Sequence, residues 1–416
     1  MDQDQGALSE NARAEIERVG AALLVVGLVT TGPSAALPAV AAALRAGLDA
    51  QDSGQPAVAI HIDRGTSDEP FAILSQALGD ARIIRVRASH GVVGVTDDEA
   101  ERREDVRTVL AAGLALGART IVMLDSDVLS MTAGWLRALA DPVEKEEYAL
   151  VLPVYQRGRY EGTLTHTLVI PLLRALFGRR LLHPLAESFG CSAVAADFLL
   201  KQDVWGAEVT RQELELWIPV AAIERGLPIG QAVLGPRAVS PRARPAPLGP
   251  TVGHVAGALF QLAERFESAW LELSGSEAVP TFGSLPEPLL TGHDVDTERL
   301  LLGFRQGVRD LLPIWERILA PENLGDVLAL GDSATDHFRF PDHLWARVVY
   351  DFLLAFRARV VYRHHVAQSL APLYLGRAAS LILGTRAGPA SAVTLAGERL
   401  GQVFEEQKPY LVDRWR

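Results

Sequence analysis

The 416 residues exceed one ordinary hydrophobic core and predict two domains, with apolar residues at 49% sufficient to fill both. A net charge of -11 opposes a general binder of nucleic acid or of an acidic membrane surface, since a polyanion is repelled. The single cysteine, Cys191, excludes an internal disulfide framework and a zinc site made of several cysteines, and it fits a cytoplasmic setting.

The acidic, polar start at residues 1–10 lacks the basic opening of a secretory signal. Residues 21–28 are apolar but far short of the ~20 needed to span a bilayer, so they read as a strand and no transmembrane segment is expected. A turn with helix-cap chemistry at 30–34 leads into an Ala/Leu-rich helix at 35–48. A second strand at 57–62 runs into a loop of small and acidic residues, 63–68. A helix at 71–78, a strand at 82–87, a helix at 105–116 and a strand at 120–124 follow. Strands alternating with helices predict a mostly parallel sheet with right-handed crossovers, which places the loops after the strands along one edge.

At that edge Ile121, Val122, Met123 and Leu124 run directly into Asp125, Ser126 and Asp127. Side chains alternate along a strand, so Asp125 and Asp127 leave it pointing the same way, a site for Mg²⁺ or Mn²⁺ shared with a diphosphate. A polar turn or helix cap accounts for the tripeptide equally well when it is taken alone. Asp63 and Asp68 divide in the same way between ligand contact and turn or cap duty. Further along, a strand at 148–152 precedes Arg157, Arg159 and Tyr160 in a glycine-flanked loop suited to phosphate or sugar hydroxyls. Helices at 168–177, 193–200 and 208–225 complete this half of the chain.

In this order the features resemble the GT-A-fold glycosyltransferases of the family-2-like group that includes glucosyl-3-phosphoglycerate synthase and mannosylglycerate synthase. The resemblance rests on Val25–Leu28 as first strand and Asp63–Asp68 at the place of a nucleotide loop. Asp125-Ser126-Asp127 stands as the Asp-x-Asp (DxD) motif, Tyr160-Glu161-Gly162-Thr163 as a Tyr-Asp-Gly-Thr loop, and residues 184–192 as an acceptor-side loop. It implies an α/β, Rossmann-like nucleotide-sugar domain followed by a helical C-terminal subdomain. The implied activity is transfer of a hexose from a nucleotide-diphosphate sugar to the hydroxyl of a small polar, glycerate-like acceptor or of a cell-envelope acceptor. Asp125 and Asp127 would hold Mg²⁺ or Mn²⁺; Thr30, Asp63, Gly65, Asp68, Ser126, Arg157, Arg159 and Tyr160 would bind the nucleotide sugar. Glu215, then Glu187, would face the acceptor hydroxyl.

The chain departs from that pattern in four places. Residues 97–105 are acidic where relatives carry a Gly-Lys-Gly segment, Val239 stands where a metal-binding histidine would fall, Ala186-Glu187-Ser188 replaces a Gly-Gly-Asp loop, and Glu215 replaces an aspartate. These departures support an alternative, a catalytically degenerate subunit that scaffolds or regulates a partner. A third reading, a nucleotidyltransferase, lacks the basic glycine-rich loop that it needs after the first strand.

Domain boundaries are expected at 1–240 for the sheet domain, 241–251 for a Pro/Arg-rich linker and 252–416 for the helices. Arg237, Arg242 and Arg244 are near enough in sequence to close over a phosphate. Helices are expected at 253–274, 297–309, 312–319, 344–359, 371–383 and 392–407, and they offer a face for a homodimer or hetero-oligomer. Asp332, Asp336, His337 and His343 form a polar cluster read as helix caps.

Overall fold

In the computed structural model, residues 8–50, 56–87, 98–206, 209–238, 248–289 and 295–416 are described, the side chains of 98–101 excepted. The chain forms two compact units. One gathers Met1–Tyr155, His183–Arg244 and Val279–Leu285; the other gathers Gln156–Leu182, Pro245–Ala278 and Pro286–Arg416. This division differs from the expected one in two places, since 156–182 goes with the helices and 279–285 returns to the sheet. Most of the expected linker, with Val239, Arg242 and Arg244, lies outside the described residues, and Leu248–Arg265 is already helix.

The first unit is built on eight strands: β1 (Leu24–Thr30), β2 (Ala57–Asp63), β3 (Ile83–Arg87), β4 (Thr120–Leu124), β5 (Leu150–Gln156), β6 (Phe189–Ser192), β7 (Ile229–Pro236) and β8 (Thr281–Phe282). Their order is β8-β7-β5-β6-β4-β1-β2-β3. β1 pairs in parallel with β2 and with β4, and β2 with β3, in the register Thr30 to Asp63 and Leu28 to Leu124. The strands β1, β2 and β4 are largely apolar and almost wholly buried, as a sheet covered on both faces requires. The mostly parallel sheet followed by a helical C-terminal region is the class expected.

One strand runs the other way. β6 is antiparallel to both β4 and β5, so residues 183–188, which precede it, lie at the edge where β4 ends. Gly190 allows a close approach there, since an added Cβ would run into the Leu139 carbonyl oxygen. The helix Ala133–Lys145 therefore packs directly on the β6 backbone.

The second unit is helical. Its longest members are Leu248–Arg265, Thr297–Asp310, Asp342–Ala358, Ala371–Thr385 and Ala392–Trp415. Residues 165–169 form a π-turn at the head of the helix Ile170–Phe177, and the Trp345 indole N–H donates to the Thr167 carbonyl at 2.7 Å. That bond satisfies a carbonyl in a turn whose own ladder is altered. The run Arg363–Thr385 is long and apolar enough to cross a membrane by composition, but 67% of its most apolar window is buried within the protein.

Candidate active site

Five chain segments meet at the carboxyl edge of β4. The motif is fixed first by its own backbone: the Asp127 N–H donates to Asp125 Oδ1 at 3.0 Å, and the Ser126 hydroxyl donates to the Val29 carbonyl of β1. Ser126 thus ties the motif to the neighbouring strand and is itself buried. The segment entering β6 supplies Ser188, whose hydroxyl accepts the Asp125 N–H at 3.1 Å, and Glu187 beside it.

The end of β7 supplies Arg237. Its guanidinium lies 3.1 Å from Asp125 Oδ2 and 2.8 Å from Glu187 Oε2, and it stacks over the Tyr155 ring at 5.5 Å. Burial pulls down the Arg237 pKa, yet the charges of Glu187 and Asp125 outweigh burial and hold it above its ordinary value. Tyr155 is buried, which raises its phenol, and its N–H donates to His183 Nδ1 at 3.1 Å, fixing that ring. The sequence groups Arg237 with Arg242 and Arg244 as arginines able to close over a phosphate; its partners in the structure are two carboxylates.

The helix Arg211–Glu224 brings the second arginine. Thr210 and Glu213 form a reciprocal capping box at its start. One turn on, Arg211 Nε donates to Glu215 Oε1 at 2.8 Å, with Arg102 Nε 4.0 Å from the same oxygen. Arg102 also donates to the Glu187 carbonyl. Glu215 is 4% exposed, and burial raises its pKa against the pull of Arg211. The Arg211 charge, felt most by Glu215 and also by Glu187 and Asp125, is held above its ordinary pKa. Arg102 and Arg211 were missed from sequence. The i, i+4 spacing of Arg211 and Glu215 was a readable signal, whereas nothing local connects Arg102 to residues about a hundred positions away.

Asp127 differs from its neighbour. Partial burial and the Asp125 charge raise its pKa, while the Ser34 hydroxyl and Arg211 pull it down. Around this edge four carboxylates, Asp125, Asp127, Glu187 and Glu215, face three guanidiniums, Arg102, Arg211 and Arg237. Glu187 and Asp125 share Arg237, and Glu215 has Arg211. With every group charged, negative charge is in excess by one, and Asp127 alone of the four carboxylates has no ion pair among the described residues. Among the described residues no group of three or more His, Cys, Asp or Glu is placed to hold a metal ion. A cation here would complete its shell with oxygens from a bound ligand, as Mg²⁺ does with substrate phosphates.

The remaining candidates fall into two places. Along β1 and β2 in the first unit, the Thr30 hydroxyl is 2.8 Å from His61 Nε2. Asp63 is buried, accepting the Gly65 N–H at 3.1 Å and Arg85 Nε at 3.0 Å. Gly65 permits the loops after β1 and β2 to touch, since a Cβ there would lie 3.3 Å from the Gly32 backbone. Asp68 pairs with Arg85 at 2.5 Å and Arg87 at 2.6 Å, and the Arg85 hydrogen bond foremost lowers its pKa. It occupies the N-cap position of Glu69–Leu78 without a capping hydrogen bond.

Arg157, Arg159 and Tyr160 belong to the helical unit. Arg157 lies over Gly162, where an added Cβ would be 3.2 Å from its guanidinium. The Arg159 guanidinium donates to the carbonyls of Thr385, Gly388 and Pro389, the last two at 2.9 and 3.2 Å, and so closes the end of the Ala371–Thr385 helix. Tyr160 packs against Leu381, Val393 and Ala396. These last two side chains are engaged within their own unit.

No family model and no curated protein matches the chain. Among solved structures it is similar to glucosyl-3-phosphoglycerate synthase from Mycobacterium tuberculosis, in complex with Mn²⁺, UDP and phosphoglyceric acid, at 20% identity. That match covers 61% of this chain and 81% of the other, with a TM-score of 0.42. The same synthase with Mn²⁺ and UDP-glucose matches at 22% identity, 61% and 82% coverage and a TM-score of 0.42. Mannosyl-3-phosphoglycerate synthase from Rubrobacter xylanophilus matches at 14% identity, 69% and 85% coverage and a TM-score of 0.39. Likenesses of this size leave the reading of the site to its own geometry.

Proposed function

We propose that the chain is a glycosyltransferase that moves a hexose from a nucleotide-diphosphate sugar to an acceptor hydroxyl at the carboxyl edge of β4. The observation that carries this reading is the excess carboxylate of Asp127, held beside an Arg-paired Asp125 where β1 separates β2 from β4. Such a switch point in an open α/β sheet is where ligands bind, and an unmatched carboxylate there suits a cation brought in with a diphosphate. Mg²⁺ or Mn²⁺ held by Asp127, with Asp125 beside it, would supply Lewis-acid stabilisation of the leaving diphosphate.

The chain's own residues then have distinct duties. Arg237 holds Asp125 and Glu187 in place, and Arg211 orients Glu215. Glu215, raised by burial, is the carboxylate poised to accept the proton of the attacking hydroxyl as the sugar's bond to the diphosphate breaks. Glu187, committed to Arg237, positions rather than accepts. Asp63, Gly65 and the loop after β1 form the surface for the nucleoside, and the acceptor is a small polar, glycerate-like molecule or a cell-envelope hydroxyl. The buried Cys191, whose thiol burial pushes up to about 12, is inert and suits the cytoplasm.

Titration calorimetry with nucleoside diphosphates and their sugars, with and without Mn²⁺, tests the proposal. We expect Mn²⁺ to tighten binding at least about tenfold, and Asp127→Ala to remove that gain while Asp125→Asn removes less of it. A chain that binds none of these compounds under either condition does not perform this reaction. Binding without turnover would instead support the degenerate subunit.

A further inference from the structure

Of the polar cluster read as helix caps, Asp332 stands at the C-cap of Pro321–Gly331, and the others cap no helix through a side-chain hydrogen bond. The helix Asp342–Ala358 begins after Pro341 with no side-chain capping bond. Asp336, His337 and His343 instead line a cavity of about 770 Å³ within the helical unit. Arginines dominate its chemistry. Arg377 forms part of the wall although it is 3% exposed, and it is held by Asp342 at 2.7 Å and the Phe340 carbonyl at 2.8 Å. Arg399 reaches the same carboxylate, Asp342, at 3.1 Å. Arg339 lines the cavity too, and no hydrogen bond or ion pair of the described residues engages its guanidinium.

One carboxylate therefore serves two guanidiniums, a third is uncommitted, and the unsatisfied N–H groups of a helix start open beside them. The volume exceeds what an inorganic ion needs and matches a small organic ligand. We propose that this cavity is a second ligand site, one that binds a small phosphorylated metabolite between Arg339 and Arg399, with Arg377 as a fixed charge behind it. A fork of guanidinium donors suits a phosphate dianion. Two imidazoles at the rim, His337 and His343, add donors for further oxygens of the ligand. The site belongs to the helical unit, whereas the carboxylates and arginines assigned to sugar transfer belong to the first, and it stands whether or not that assignment does.

The test is a calorimetric titration of the full chain, in EDTA, with pyrophosphate, with a hexose 1-phosphate and with uncharged glucose. We expect both phosphates to bind and glucose not to. The double variant Arg339→Gln, Arg399→Gln should weaken the phosphates about tenfold or more, and Asp336→Asn, which removes a nearby negative charge, should tighten them a few-fold. All three positions are exposed, and circular dichroism checks that the variants fold. Histidine ¹H–¹³C spectra should show His337 and His343 shifting as phosphate is added. Phosphate affinity unchanged in the double variant, shifts confined to other histidines, glucose binding as well as its phosphate, or no binding up to about 10 mM would each overturn the proposal.

Discussion

A guanidinium shared by two carboxylates decides how the Asp125 side chain is held. Because Arg237 is only 19% exposed at its side chain, removing it leaves Asp125 and Glu187 facing each other in partial burial. Arg237→Ala should lose roughly 2 kcal/mol or more of stability by urea unfolding, and Arg237→Lys should recover only part of it, since an ammonium restores the charge that both carboxylates meet at Nη2 but not the planar group lying over the Tyr155 ring. A second residue-scale effect concerns His61, which burial pushes down to about 4 from 6.5. The unfolded chain takes up a proton that the folded chain refuses, so this contribution is complete above pH 6.5 and is lost as pH falls toward 4. Its size is about 3 kcal/mol. His61→Gln should flatten the acid limb of a plot of urea midpoint against pH; an unchanged limb would mean that His61 is not buried neutral.

At the scale of elements, the site depends on a strand that runs against its neighbours. The four residues of β6 show no alternation and no flanking hairpin turn, and its antiparallel pairing with β4 spans more than sixty positions, so local pattern reading passes over it. Yet only that reversal delivers Glu187 and Ser188 to the end of β4. Gly190→Ala should therefore cost on the order of 1–3 kcal/mol through overpacking against Leu139, with a loss of nucleotide affinity beyond that of an equally destabilising core change elsewhere. The helix carrying Arg211 and Glu215 was legible, and so was its pair by spacing. By contrast the loop with Arg159 and Tyr160 read as phosphate chemistry because its residue types suit it, and the structure spends Arg159 on carbonyls at a helix end. Composition alone does not distinguish an anion from a row of unpaired carbonyl oxygens.

For the whole molecule, the division into units is discontinuous in sequence. Residues 156–182 pack with the helices, where Arg174 is held by Glu398 at 2.7 Å and Glu405 at 2.9 Å and Thr167 by Trp345. A chain ending at residue 240 would therefore carry Leu168, Leu172 and Leu176, all buried in the intact protein, without the helices that cover them. It should elute as aggregate in size-exclusion chromatography, whereas a monodisperse fragment would place the boundary where the sequence suggested.

The sequence by itself determined the alternation of strands and helices, the mostly parallel sheet, the change to helix in the C-terminal part, and the place of Asp125 and Asp127 at a strand exit. All of these follow from periodicity and turn chemistry, which are local. Tertiary structure alone decided that Arg237 and Arg102 pair with the carboxylates, that Asp127 alone of the four has no ion pair among the described residues, and that Asp336, His337 and His343 of a cluster read as caps line a cavity. Charge balance at a site is a sum over residues far apart in the chain, and no window of sequence contains its terms.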